Sequence, residues 1–275
     1  MLRAMRPTFS AATALRRVDD NTYEGTIDPA WWVVRGPHGG YLASLILRAL
    51  TSTLDDLDRH IRSFTTHFVA APEEGSLQIA TAIERSGKSM TAMSARVTQG
   101  GRLVATSLAA FSVPWADFTF DDSQMPECPS PAESFPVPAE GDNMPPFLGN
   151  FDMRWCLGSP PFSGADEAVV GGWFRLRPPE TADAIVVATL MDAWAPAVFP
   201  VATEPLVAPT IDLTVHFRTQ LPLEGVGPDD FYLGRFSSKL ASEGFFEEDG
   251  ELWSAGGRLI AQSRQLALTI LPRSS

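Results

Sequence analysis

The sequence predicts an α+β protein in which one plan, a buried helix followed by a long antiparallel meander, occurs twice in tandem. Three observations carry this. The stretch "QGGRLVATSLAAFS", ending at Ser112, and "AGGRLIAQSRQLAL", ending at Leu268, are near-copies 156 positions apart. A second pair, "RSFTTHFVAAP" and "PTIDLTVHFRTQLP", aligns His67-Phe68 with His216-Phe217. Ten of the 23 prolines crowd residues 114–161, between the two copies.

Each element follows from its local pattern. Residues 22–28 alternate as a strand. Over 39–57, Leu42, Leu45, Ile46, Ala49, Leu50 and Leu57 fall at helical spacing, and Ala43 and Leu47 fill the flanks, so this helix is wrapped on most sides. Strands are expected over 63–70, 76–86, 90–98 and 102–113, broken by the turn sequences "PEEGS", "SGKS" and "QGG". The proline-rich stretch reads as a linker, although its tail "NFDMRWCLGS" has the pattern of a first strand of the next unit. Then the plan repeats. "GGWFRLRP" is strand-like, and "ETADAIVVATLMDAWAPAVF" is helical until Pro196 forces a kink or restart. Strands follow from "PTIDLTVHFRTQLP", over 231–242, near 245–254 and over 259–270. The resulting division is 1–113, a linker 114–165, and 166–275.

Composition narrows the function. A chain of 275 residues with 44% hydrophobic and 20% charged residues buries a real core. The net charge of −12 argues against a nucleic-acid or anionic-membrane binder. Only Lys88 and Lys239 are lysines, so contacts to any anionic small ligand fall mainly to arginine. No apolar run approaches the roughly 20 residues of a membrane helix. Cys128 and Cys156 have no metal or redox spacing and sit in linker-like sequence, which makes a reduced, cytoplasmic protein the default. The N-terminal "MLRAMRPTFSAATALRRV" is Arg-bearing and free of acids but runs straight into "VDDNTYEGTID", so it reads as the start of the domain itself. There is no G-x-S-x-G elbow, no G-x-G-x-x-G after a strand and no Walker loop, which removes the basis for a serine hydrolase of the α/β type and for nucleotide-dependent chemistry.

Candidate site residues come from the differences between the copies. Where the second has Gln262, Arg264 and Gln265, the first has Thr106, Leu108 and Ala109. The Gln265 amide both donates and accepts, so it can orient a water; the plainer reading is a surface glutamine on an edge strand. Asp192 sits among Leu190, Met191, Ala193 and Trp194, either as a helix cap or as a base that a helix N-terminus keeps ionised. Thr210 opens an alternating stretch with Asp212, Thr214 and His216 on one parity, which makes Asp212 a second carboxylate candidate. "GPHGG" at 36–40 precedes a helix. Its glycines either permit a tight turn or leave free N–H groups, at His38, Gly39 and Gly40, for a thioester carbonyl or a phosphate. His38, His67 and His216 read as packing or hydrogen-bonding residues and form no metal site.

In plan and motif the chain resembles double hotdog proteins of the acyl-CoA thioesterase II type. The segments "RGPHGGYLASLILRAL", "PTIDLTVHFR" and "GGRLIAQSRQLAL" carry the resemblance, which spans most of the chain outside the linker. It implies two hotdog units, each a helix wrapped by an antiparallel sheet. It also implies a cofactor-free hydrolase acting on acyl-CoA, whose water is activated jointly by an Asp, a Thr and a Gln of the second unit. By motif these are Asp192 in "TLMDAWAPAVF", Thr210 in "PTIDLTVHF" and Gln265 in "LIAQSRQ". The first unit is then a structural half. A homodimer or higher even assembly is expected, since sheet edges must be paired or protected. Two alternatives stand beside this reading. One is a hotdog hydratase or dehydratase, which usually needs a His–Asp pair that the second helix does not offer. The other is a non-catalytic acyl-CoA-binding protein.

Overall fold

The structure is a computed structural model that describes residues 7–34, 36–115, 118–139, 141 and 144–271. In the first unit a short helix α1 (Phe9–Ala12) and strands β1 (Arg16–Arg17) and β2 (Thr22–Ile27) precede helix α2 (Gly39–Leu54). Strands β3 (His60–Phe68), β4 (Gly75–Ser86), β5 (Met90–Gln99) and β6 (Arg102–Ser112) complete it. The connecting segment holds β7 (Phe135–Pro136) and β8 (Phe151–Gly158). The second unit has β9 (Val169–Leu176), helix α3 (Ala184–Leu190), β10 (Thr210–Phe217), β11 (Tyr232–Ser237), β12 (Ala241–Ser242), β13 (Phe245–Ser254) and β14 (Leu259–Leu268).

One antiparallel sheet runs β1-β2-β4-β5-β6-β3-β10-β14-β13-β11-β9-β8-β7, with β12 paired to β13. Within it β2, β3, β4, β5 and β6 take the same spatial order as β9, β10, β11, β13 and β14. The second strand of each set lies at the centre, where β3 and β10 pair from Ser63↔His216 to His67↔Asp212. Even the irregularities repeat: β3 bulges between Ile61 and Ser63, and β10 between Thr210 and Asp212. The chain is therefore a double hotdog, as the repeated motifs predict.

Helix α2 buries ten of its sixteen residues, including Leu42, Leu45, Ile46, Ala49 and Leu50, as its wrapped pattern predicts, but it ends at Leu54, so Leu57 lies beyond it and is 96% exposed. Helix α3 is shorter than predicted. It begins after Asp183, whose side chain accepts from the N–H groups of Ile185 and Val186, and it stops at Leu190, well before Pro196. Residues 191–199 are turns whose apolar side chains are buried like helical ones, which is why the pattern ran on. The two helices touch directly. Ser44 Oγ donates to Ile185 O at 2.7 Å and lies 2.6 Å from Thr189 Oγ1. A Cβ on Gly40 would come within 2.8 Å of Thr189 O, so only glycine allows this approach.

The stretch read as a linker, 114–165, contains β8, which pairs with β9 from Phe151↔Leu176 onward at the second unit's end of the sheet, as the pattern of "NFDMRWCLGS" suggested. Cys156 on β8 and Cys128 from the connecting segment are free thiols that pack with Trp173, Leu233 and Trp253, where the segment covers the sheet. The sheet also ends in the two-residue strands β1 and β7, the latter containing Pro136, which are short enough to blunt both edges without a partner.

Of the N-terminal stretch, residues 1–6 lie outside the described residues. The rest is part of the domain: Phe9 is buried with its ring 5.4 Å from that of Trp31, and Ser10 N donates to Glu180 at 3.1 Å. Among the described residues no helix is long and apolar enough to cross a membrane.

Candidate active site

The site forms where the start of α2 meets the turn after α3. Asp192 Oδ2 accepts from the N–H of Gly40 at 2.7 Å. Asp192 is thus a helix cap, as its plainer reading held, but it caps the helix of the other unit. Burial is the main influence on its carboxyl and pushes it above the usual carboxylate range; the nearby His38 ring and the Gly40 N–H act the other way without prevailing. The Gly40 N–H at the helix start does favour the ionised form, as expected, but burial outweighs it. The side chain still keeps 11% of its surface accessible, enough for a water to reach it.

His38 lies beside this carboxylate, with Nε2 3.5 Å from Oδ2, so Asp192 does have a histidine neighbour despite their separation in sequence. Its ring nitrogens are both occupied. Nδ1 accepts from the Tyr41 N–H at 3.1 Å and Nε2 sits 2.7 Å from the Asp192 carbonyl oxygen. That pattern fixes the neutral tautomer with its proton on Nε2. The ring also stacks on Phe147 with centroids 4.8 Å apart. His38 is a buried cap and clamp.

Of the three residues expected to supply donors for an oxyanion, His38 and Gly40 are therefore engaged. Gly39 remains: its N–H has no acceptor among the described residues, and a Cβ there would lie 2.8 Å from Asp192 Oδ2. Gly40 thus has the close-packing role that was one of the two readings of the glycine pair.

Thr210 and Gln265 lie in contact. Thr210 Oγ1 donates to Gln265 Oε1 at 3.0 Å. The bulge at the start of β10 makes this contact: it places Thr210 opposite Ala267 on the inner face, whereas Asp212 pairs with Leu266 on the outer face. Asp212 therefore leaves the candidate set. Gln265 is 7% exposed on β14, a strand flanked by β10 and β13, so it is not a surface glutamine on an edge. Its two companions in the asymmetric motif point outward, Gln262 to Arg218 and Arg264 to Asp249.

One residue was missed. Glu248, on β13 directly opposite Gln265, is 3% exposed. Its Oε1 accepts from Gln265 Nε2 at 2.6 Å and its Oε2 from the Ala197 N–H at 2.5 Å. Burial raises its pKa to about 7; the hydrogen bonds from Ala197 and Gln265 oppose the rise, and the charges of Asp192 and Glu247 add to it. Asp192 is thus near enough for its charge to act on Glu248, and the turn that carries Asp192 also supplies Ala197. Strand parity with the buried Phe246 and Leu252 was the signal available in "FFEEDGELW".

Comparison with known proteins agrees with this architecture. Residues 28–112 match the acyl-CoA thioesterase N-terminal domain family, and residues 125–269 match the acyl-CoA thioesterase C-terminal domain family. The chain belongs to the acyl-CoA thioesterase family, of the thioesterase II-like type. It is similar to a hot dog fold protein of unknown function from Alicyclobacillus acidocaldarius, at 26% identity and TM-score 0.86, covering 96% of this chain and 98% of that one. A Thermobifida fusca protein proposed to be a thioesterase II is 28% identical with TM-score 0.82, covering 97% and 99%. An uncharacterised protein of Mycobacterium tuberculosis is 24% identical over 96% of this chain and 99% of its own length.

Proposed function

We propose that the protein hydrolyses an acyl-CoA thioester to the free acid and CoA by direct attack of a water. The observation that carries this reading is the contrast between equivalent interior positions of the two units. Register pairs Thr210 with Ala267 and Gln265 with both Leu213 and Glu248; in the first unit the same places hold Ile61 opposite Phe111, and Ala109 opposite Phe64 and Met93. Ile61, Ala109 and Met93 are all buried, so the fold needs no polar group there. The second unit carries a hydrogen-bonded chain at those positions, Thr210 to Gln265 to Glu248, and the charge of Asp192 acts on Glu248.

In this mechanism Asp192 takes a proton from the water while Thr210, bonded to Gln265, holds it. The oxygen bonds to the thioester carbon and the developing oxyanion accepts from the Gly39 N–H, a contact worth about 3 kcal/mol in comparable sites. Collapse breaks the C–S bond, and the CoA thiolate recovers the proton from Asp192. A base that burial holds above the ordinary aspartate range takes up the proton more readily than an exposed aspartate. CoA is substrate here rather than cofactor.

The contact of His38 with Asp192 favours a second reading, a hydratase or dehydratase. Against it, both His38 nitrogens are bound to backbone groups and none is left for substrate. Incubation with a panel of acyl-CoAs and a thiol reagent separates the cases. Release of CoA is the expected result. Water addition to an enoyl-CoA, or binding without turnover, contradicts it. Light scattering on the same sample gives the assembly state.

A second expectation concerns the silent half. Ala109→Gln should create no activity, because its amide would meet Ile61 and Met93 instead of Thr210 and Glu248. Left without partners, it should lower stability by about 1–3 kcal/mol. Denaturant unfolding and the CoA assay together check both statements.

A further inference from the structure

We propose that Glu248 is the positioning residue that sets the direction of hydrogen bonding through Gln265 and Thr210, so that the attacking water donates to Thr210 instead of accepting from it. The proposal rests on the water-attack reading above. An amide can face a neighbour with either end, and which end decides what Thr210 can do. Ionised Glu248 has only acceptors. One oxygen is held by the Ala197 N–H, and the other can receive only the NH₂ end of Gln265. This turns the Gln265 carbonyl toward Thr210, whose single hydroxyl hydrogen is then spent on it. Thr210 Oγ1 is left as an acceptor. A water that gives one hydrogen to Thr210 and the other to Asp192 keeps a lone pair for the carbonyl carbon.

The first unit supports a functional origin for this chain, because Met93 occupies the register position of Glu248 and is fully buried. A buried carboxylate without a cation costs stability, so a fold that manages with methionine in one copy gains nothing structural from glutamate in the other. The charged groups acting on Glu248 are Asp192, from the turn after α3, and Glu247 on its own strand. Arg264 of β14 pairs on the outer face with Asp249 and Glu247. As pH falls through about 7 the carboxyl gains a proton, can donate, and releases the amide to turn round.

Glu248→Gln keeps the shape and reverses the chain. Its carbonyl must serve Ala197, its NH₂ faces Gln265, and Gln265 turns its own NH₂ toward Thr210. The expected result is a kcat lowered about 10–100-fold, the range seen when the partners that orient metal ligands are removed, with KM for acyl-CoA nearly unchanged. Thr210→Ala combined with Glu248→Gln should be no slower than the slower single variant, since both act on one chain. In the unaltered protein labelled with ¹⁵N-glutamine, the side-chain amide signal that Gln265→Ala removes should titrate with a midpoint near 7. Full kcat in Glu248→Gln, multiplicative losses in the double variant, or an amide signal flat between pH 5 and 9 would each overturn the proposal. If the protein hydrolyses no acyl-CoA, the thioesterase reading fails, and the titration alone then decides whether Glu248 holds Gln265.

Discussion

Asp192→Asn should lower acyl-CoA turnover by about 10²–10⁴-fold, the usual contribution of a positioned general base. The substitution is nearly isosteric, and its carbonyl oxygen can still accept from Gly40, so the junction between α2 and the turn after α3 survives. What disappears is the ability to take a proton. The pH profile should change with it. Burial raises the Asp192 carboxyl above its ordinary value, so the protonated, inactive form persists to higher pH than for an exposed aspartate. Activity should fall as pH drops through that raised value, and Asp192→Asn should remove this limb from whatever rate remains. Initial rates between pH 5 and 9 for both proteins provide the check. An unchanged rate in the variant would remove Asp192 from the chemistry.

Gly40→Ala should damage both stability and activity, and through the same atoms. Its Cβ would stand 2.8 Å from Thr189 O, 2.9 Å from His38 Cε1 and 3.0 Å from Asp192 Cβ. None of these can yield by a simple side-chain rotation. Thr189 O is backbone, His38 is clamped through both ring nitrogens, and Asp192 is tied to Gly40 itself. Overpacking of this kind costs about 1–3 kcal/mol. Relief requires α2 and α3 to separate, which carries Asp192 away from the Thr210–Gln265 pair. Denaturant unfolding should therefore show a lower midpoint with an unchanged slope, and kcat should fall in the protein that remains folded. A variant with wild-type stability and rate would mean that the helices are not in contact at this point.

The fold was legible because its signals are local and repeated. The turn sequences "SGKS" and "QGG" delimit β4, β5 and β6 almost to the residue, and the copy of the last hairpin announced the second unit. The end of α3 was not legible, since Met191, Ala193, Trp194 and Ala197 are as buried in turns as they would be in a helix. Proline at 196 marked a break but not its true place, Leu190.

At the site, Gln265 was readable from the asymmetry of the copies and Thr210 and Asp192 from motif resemblance. The direction in which each points was not. A bulge separates Thr210 from Asp212, and sequence alternation gives no sign of it. The contacts of Asp192 with His38 and Gly40 span more than 150 residues and exist only because two units share one sheet. Glu248 was hidden by its neighbours. In "FEEDGE" the acids at 247, 249 and 251 face outward, and nothing but parity with Phe246 and Leu252 distinguishes the one that faces in.

Direct attack by water leaves no covalent acyl-enzyme, and this can be read in a single experiment. Enzyme and the best acyl-CoA of the panel are mixed at high enzyme concentration, and CoA release is followed from the first milliseconds with a thiol reagent. If water attacks the thioester itself, CoA appears linearly from the start, with no burst before steady state. A burst stoichiometric with enzyme would mean that a side chain accepts the acyl group first. Asp192 would then have to be read as a nucleophile and not as the base that activates water.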